Sequence, residues 1–320
     1  MNYKVHIKLL IAAIIALLVL TSGCTQTELD SDKTEISENP NQEETVSSDE
    51  KEQVISKEIE EREERVILNL EGMVIQDRIP TPEGYERIDV KEDSFAYYLR
   101  NLPLKPHGEK VHYYNGKTKT ANVYDAVIDM DIGERDLQQC ADAVIRLRAE
   151  YLYSQERFDE IHFNFTNGFR ADYKKWMEGY RIAIDGNNVS WVKRADNLND
   201  YQSFRKYLDM VFSYAGTLSL SQEMVSVPIE EMKIGDVFIQ GGSPGHCVIV
   251  VDMAENKETG EKLFLLAQSY MPAQDIHLLK NLQNEKISPW YSLNFGDVLK
   301  TPEWTFSKDD LKRFEGESSY

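Results

Sequence analysis

The run His246 to Met253 (HCVIVVDM) constrains the fold of this chain more than any other stretch. A strand repeats every two residues, and apolar side chains here fall on both faces. Both faces must therefore be covered, which places the run in the middle of a sheet. Gly241-Gly242-Ser243-Pro244-Gly245 forms a turn before it, and the polar stretch Asn256 to Glu261, with Gly260, forms one behind it. Asp236 to Gln240 (DVFIQ) and Lys262 to Tyr270 (KLFLLAQSY) read as the flanking strands, and such short connections make an antiparallel meander.

Helical patterns precede the meander. Asp125 to Ile132 reads as a strand broken by Gly133, and a helix follows from Leu137 to Gln155. Asp136 and Gln139 stand in the D-x-x-Q relation of a capping box, so Asp136 is the expected N-cap. Leu137, Cys140, Ala141, Val144, Leu147 and Tyr151 form its apolar face. Ile161, Phe163 and Phe165 alternate as in a half-buried strand. Ala171 to Glu178 reads as a helix closed by Gly179. Tyr173, Trp176 and Tyr180 are spaced as one packing face, the alternative being a sugar-stacking surface. Arg181 to Ile184 starts a strand, Asp200 to Tyr214 a further helix, and Lys308 to Arg313 reads as a final surface helix. Helices followed by an antiparallel sheet define an α+β class.

The N-terminus carries different information. Lys4 and Lys8 precede an uncharged apolar run, Leu9 to Leu20. That is shorter than the roughly 20 residues needed to cross a bilayer core, and it suits a signal h-region. Leu20-Thr21-Ser22-Gly23-Cys24 resembles the lipobox of bacterial lipoproteins, with Thr21 where Leu is more usual. The resemblance implies a signal peptide over residues 1–23 and a lipid on Cys24. The partner of that lipid would be the cell membrane, with the chain anchored on its extracytoplasmic face. The other reading is an ordinary cleavable signal, or a short anchor, with an incidental cysteine. Between Thr25 and Arg65 there are 15 acidic and 5 basic residues, a net of −10, with few apolar ones. Residues 24–65 therefore read as a disordered acidic tether, leaving residues 66–320 as one globular domain. The net charge of −19 excludes a nucleic-acid partner, which would require basic patches.

Two cysteines remain, Cys140 and Cys247, free or joined as a disulfide. His107, His112, His162, His246 and His277 show no metal-ligand spacing. There is no glycine-rich phosphate loop and no G-x-S-x-G elbow, so neither metal nor cofactor is expected. Three segments carry a resemblance: Gly235-Asp236-Val237-Phe238-Ile239, then Gly245-His246-Cys247-Val248-Ile249-Val250, then Leu265-Leu266-Ala267-Gln268-Ser269. Following a cysteine-bearing helix, they resemble papain-like cell-wall cysteine peptidases of the NlpC type. The resemblance implies a papain-like core, with Cys140 as nucleophile, His246 as base and Gln268 as the residue that orients the imidazole. Residues 155–225 would be an insertion, and Gln139-Cys140-Ala141-Asp142 replaces the family's Asp-Cys-Ser-Gly-like helix start. As a whole, the chain also resembles an uncharacterised bacterial lipoprotein family classed as a domain of unknown function.

Strand geometry tests the implied triad. Asp252 lies six residues from His246, about 20 Å along a strand, too far to orient the imidazole. A hairpin centred at Glu258 sets His246 opposite Tyr270, with Gln268 a diagonal neighbour on the same face. A one-residue slip turns Gln268 away. Alternation sends Cys247 to the opposite face, as a core residue. Cys140 near a helix N-terminus suits a thiolate, and Gln138 or Gln139 would serve an oxyanion. Its place on the apolar stripe equally suits a buried core thiol. Two functions follow: a lipid-anchored thiol hydrolase, amidase or endopeptidase, acting on cell-wall peptides, or a non-catalytic ligand-binding lipoprotein on a similar scaffold.

Overall fold

The computed structural model describes residues 66–316. The expected signal peptide, Cys24 and the expected tether lie outside the described residues, and so do residues 317–320. The helices are α1 (Ile75–Arg78), α2 (Phe95–Arg100), α3 (Cys140–Ser154), α4 (Tyr173–Met177), α5 (Tyr201–Tyr214) and α6 (Thr217–Glu223). The early strands are β1 (Tyr85–Arg87), β2 (Tyr124–Val127), β3 (His162–Asn164), β4 (Arg170–Asp172), β5 (Tyr180–Asp185), β6 (Asn188–Lys193) and β7 (Met224–Ser226). Then come β8 (Val237–Gln240), β9 (His246–Asn256), β10 (Lys262–Gln268), β11 (His277–Leu279), β12 (Tyr291–Ser292), β13 (Val298–Lys300), β14 (Thr305–Ser307) and β15 (Leu311–Phe314).

A nine-stranded sheet in the order β2-β11-β10-β9-β8-β15-β7 organises the domain, with β1 added to β9 and β12 to β10. Every pairing within it is antiparallel, so the class is α+β with a large antiparallel sheet. β9 sits in its middle, and its residues from His246 to Ala254 are buried, as the apolar run requires. Helix α3 packs on β9 and β10, and Phe238, Phe264, Phe295 and Phe306 form an aromatic cluster with ring centroids 5.9–6.3 Å apart. Cross-strand partners share a face. Ile239 is the partner of Cys247, and Phe238 that of Val248, so the aromatic cluster and Cys247 lie on opposite faces.

The β9–β10 register has two parts. Near the turn Glu255 pairs with Lys262, whereas Val250 pairs with Leu266 and Ile249 with Ala267, the shift falling between Leu265 and Leu266. Val251 is the extra residue of the resulting bulge. Beyond the bulge the pairing is the one that a hairpin centred at Glu258 predicts.

Two expectations are corrected. Helix α3 starts at Cys140 with Gln139 as its N-cap, not at Leu137 behind Asp136. The Asp136 carboxylate does accept from Gln139 Nε2 at 3.1 Å, but it also accepts the Ala273 N–H at 2.7 Å, so it ties the approach to the helix onto a distant loop. The stretch Lys308 to Arg313 is a short 3₁₀ turn leading into β15, not a surface helix, because Leu311 and Lys312 pair with β8 and Arg313 with β7. Residues 155–225, which the resemblance makes an insertion, pack into the same core as the sheet. They form two hairpins (β3–β4 and β5–β6), α4, α5 and α6, and contribute Phe165, Tyr173, Phe204 and Tyr207 to the same core. Asp200, read from the sequence as the first residue of a helix, is the N-cap of α5 and accepts the Ser203 N–H at 2.6 Å. Tyr173 and Trp176 are buried packing residues.

Candidate functional site

The N-terminus of α3 and the first residue of β9 meet at one end of the sheet. Cys140 is the first residue of its helix, where backbone N–H groups have no intrahelical acceptor. His246 opens β9 after a turn that only small residues permit. A Cβ on Gly245 would lie 2.3 Å from Thr217 Oγ1 and 2.6 Å from Gly242 O, and one on Gly241 would lie 2.3 Å from Ser221 Oγ. The first turns of α6 therefore press directly on the loop that delivers His246.

The structure brings Cys140, His246 and Gln268 together. His246 Nε2 lies 2.8 Å from Gln268 Oε1. The Cys140 thiol lies within hydrogen-bonding reach of both Cys247 and His246. Both cysteines are free thiols, so the disulfide alternative is not formed. Alternation does send residues 246 and 247 to opposite faces, but at the strand's end the helix terminus is open to both.

The Cys140 pKa is lowered, first by the hydrogen bond with Cys247, against the opposing effect of burial, and then by the hydrogen bond and charge of His246 and the Ala141 N–H. Burial drives Cys247 the other way and keeps it a thiol. Asp142 caps the same helix end by accepting the Gln139 N–H at 3.0 Å. Burial pushes its pKa well up, and the neighbouring Cys140 adds to the rise.

A polar chain extends outward from Gln268. Its Nε2 donates to Glu303 Oε2 at 2.7 Å and lies 3.4 Å from His277 Nε2. Glu303 accepts from Lys119 Nζ at 2.7 and 2.8 Å, and the same ammonium donates to Gln274 Oε1 at 3.0 Å. Tyr270 and Trp304 flank the His246 ring at 4.6 and 5.3 Å, and Trp304 Nε1 donates to Gln240 Oε1 at 2.9 Å. The Ser269 hydroxyl lies 2.8 Å from the Gln274 carbonyl and 3.1 Å from that of Gln138, and its one proton serves either, joining the end of β10 to the approach to α3. None of Lys119, His277, Glu303 or Trp304 is marked by a local motif. They arrive from loops and strands far apart in the chain, and only the long-range pairing of the sheet assembles them.

Gln138 is fully buried, and its Nε2 has no hydrogen-bond partner, while its Oε1 accepts from Arg146 at 3.2 Å. Asp252 plays no part here. Its carboxylate is held at 2.7 Å by Arg87 on one oxygen and by Arg100 on the other. The centre is enclosed: Cys140 is 8% exposed and His246 1%. The exposed residues 241–244 and Met271-Pro272 mark its outer rim. Polar cavities of about 390 and 440 Å³ lie elsewhere, the first lined by Lys91, Tyr151 and Arg313, the second by Arg148, His162 and Glu223. Among the described residues, no group of His, Cys, Asp and Glu has the arrangement of a metal site, and no helix is long and apolar enough to cross a membrane.

Residues 75–313 match the family described as a domain of unknown function, DUF4846, and the chain belongs to it. No curated protein and no solved structure matches the chain.

Proposed function

We propose that this DUF4846 protein is a thiol hydrolase, an amidase or endopeptidase on a papain-like core, in which Cys140 is the nucleophile, His246 the base and Gln268 the orienting residue. The observation that carries the reading is the meeting of a helix-terminal thiol with an imidazole whose Nε2 is held at 2.8 Å by a buried amide. Nucleophile, base and orienter form the arrangement that acyl transfer requires. His246 takes the thiol proton, and the sulfur attacks the amide carbonyl. The imidazolium then protonates the leaving amine as the C–N bond breaks, which leaves a thioester. Water, activated by the same imidazole, releases the acid and restores the thiol. The unpartnered Gln138 Nε2 and the N–H groups of the first turn of α3 are the donors for the oxyanion. The lipid on Cys24 and the acidic tether place this chemistry at the outer face of the membrane, and cell-wall peptides are the substrates that location favours.

The test is alkylation of the full-length protein by iodoacetamide across pH, with the modified cysteine identified by peptide mapping. Cys140 is expected to react well below the ordinary thiol pKa of ~8.5. His246→Ala is expected to slow it roughly 100-fold at pH 7, the scale of general-base assistance. Cys247 is expected to stay unreactive until denaturation. Cell-wall muropeptides are then incubated with wild type and Cys140→Ser. A Cys140 that reacts only in denaturant overturns the hydrolase. The enclosed centre and the two polar cavities away from it favour the second reading, a non-catalytic ligand-binding lipoprotein, in that case.

A further inference from the structure

We infer that Glu303 is a positioning residue which, by fixing the direction of the Gln268 amide, decides which nitrogen of His246 carries the proton. The inference rests on the reading of Cys140 and His246 as nucleophile and base. A glutamine amide has a donor end and an acceptor end of nearly the same shape, and only its neighbours choose between the two orientations. An orienter that can flip is a poor one.

The neighbours here are not symmetric. Glu303, with Lys119 bridging both of its oxygens, is an acceptor, so the amide nitrogen must face it, and it does so at 2.7 Å. His277 supplies the second constraint. Its Nδ1 lies 2.8 Å from the Asp275 carbonyl, which only accepts, so Nδ1 carries the proton and Nε2 presents a lone pair. Burial, with Lys119 and His246 nearby, lowers the His277 pKa to about 3, so the ring stays neutral. That lone pair faces Gln268 Nε2 at 3.4 Å. Both N–H bonds of the amide are thus directed at acceptors, and Oε1 is left for His246.

An oxygen facing His246 Nε2 demands a proton on Nε2. In the neutral ring Nδ1 then holds the lone pair, the form that accepts a proton from Cys140. With the amide reversed, an NH₂ group would face Nε2, the proton would move to Nδ1, and the ring would present a donor where a base is needed. Glu303 touches neither thiol nor imidazole and acts wholly through Gln268. Its loop is held to the end of β8 by the Trp304–Gln240 hydrogen bond, so the carboxylate is fixed relative to the strand that precedes His246.

The experiment uses full-length protein labelled with ¹⁵N-histidine, read by long-range ¹H–¹⁵N correlation of the imidazole rings, with iodoacetamide alkylation of Cys140 measured on the same samples. Wild type is expected to show His246 protonated at Nε2 and His277 at Nδ1. Glu303→Leu is expected to mix the His246 tautomers and slow alkylation about tenfold at pH 7, the order seen when an orienting partner is lost. Glu303→Gln, whose amide oxygen still accepts from Gln268, should stay within about threefold of wild type. A wild-type spectrum with His246 protonated at Nδ1 overturns the inference without any variant, so a Glu303→Leu protein that fails to fold does not protect it. A folded Glu303→Leu protein with unchanged tautomer and rate overturns it as well. If the tautomer follows Glu303 while wild-type Cys140 is inert, the positioning role stands and the hydrolase falls.

Discussion

The two ends of β9 bury polar groups in opposite ways. At one end Asp252 is fully enclosed, and each oxygen is matched to its own guanidinium at 2.7 Å. Arg87 and Arg100 are tied in turn to the carbonyls of Ile79 and Ile88. That network closes on itself and joins β1 and α2 to the sheet. At the other end, Lys119, Glu303, Gln268 and His246 form a chain instead of a ring, which terminates at a thiol on a helix end. A closed network of charges fixes structure. A chain that ends on a titratable pair near the rim of the sheet has a proton to move. Burial alone does not distinguish the two, and partner counting does.

Breaking each end separately sharpens the contrast. Asp252→Ala strands two buried guanidinium groups and is expected to cost about 3–5 kcal/mol of stability, the penalty for breaking a buried ion pair. Urea denaturation measures it, and Cys140 alkylation in the folded protein should be unchanged. A large loss of reactivity in that variant would mean that the two ends act as one unit.

The His246 end carries an acid response of its own. His277 is neutral in the folded chain with a pKa lowered to about 3, whereas an exposed imidazole in the unfolded chain titrates near ~6.5. Below ~6.5 the unfolded state takes the proton and the folded state does not, so stability falls as pH falls, by about 1.4 kcal/mol per unit until about pH 3. His277→Gln should flatten that slope between pH 6 and 4 in a series of urea titrations. An unaltered slope would remove His277 from the account.

The smallest effect is steric. Gly245→Ala puts a methyl against Thr217 Oγ1 and the Gly242 carbonyl. It is expected to cost about 1–3 kcal/mol, as overpacking does, and to slow Cys140 alkylation by shifting His246. Thr217→Ala in the same chain removes the first clash and should recover part of both.

The sequence pattern reveals most of the central meander. The apolar run at 246–253, the turns around it and the pairing near His246 all follow from period-two alternation, and the helix over 200–214 follows from its own period. The start of α3 is misread, because the Asp136–Gln139 contact exists but caps no helix. The turns that matter are Gln139 and Asp142, one step further on. Lys308 to Arg313 is too short for its period to separate helix from strand, and tertiary pairing decides. Of the proposed site, Cys140, His246 and Gln268 are legible as residue types on regular elements. Glu303 and Lys119 are not, because they sit on irregular connections that carry no periodicity, with partners 35 and 155 residues away; His277 opens β11, a strand of three residues too short for its alternation to mark it.

The contact of α6 with the turn before His246 has a consequence for any attempt to reduce the chain to a smaller module. Residues 155–225 resemble a detachable insertion when viewed along the sequence alone. Their last helix, however, is the floor on which the 241–245 loop rests, with Thr217 and Ser221 occupying the space of two absent side chains. Excising the segment would leave that loop without its template, and the imidazole would lose its placement although every proposed reacting residue remained. The smallest unit that keeps His246 in place therefore includes its apparent insertion.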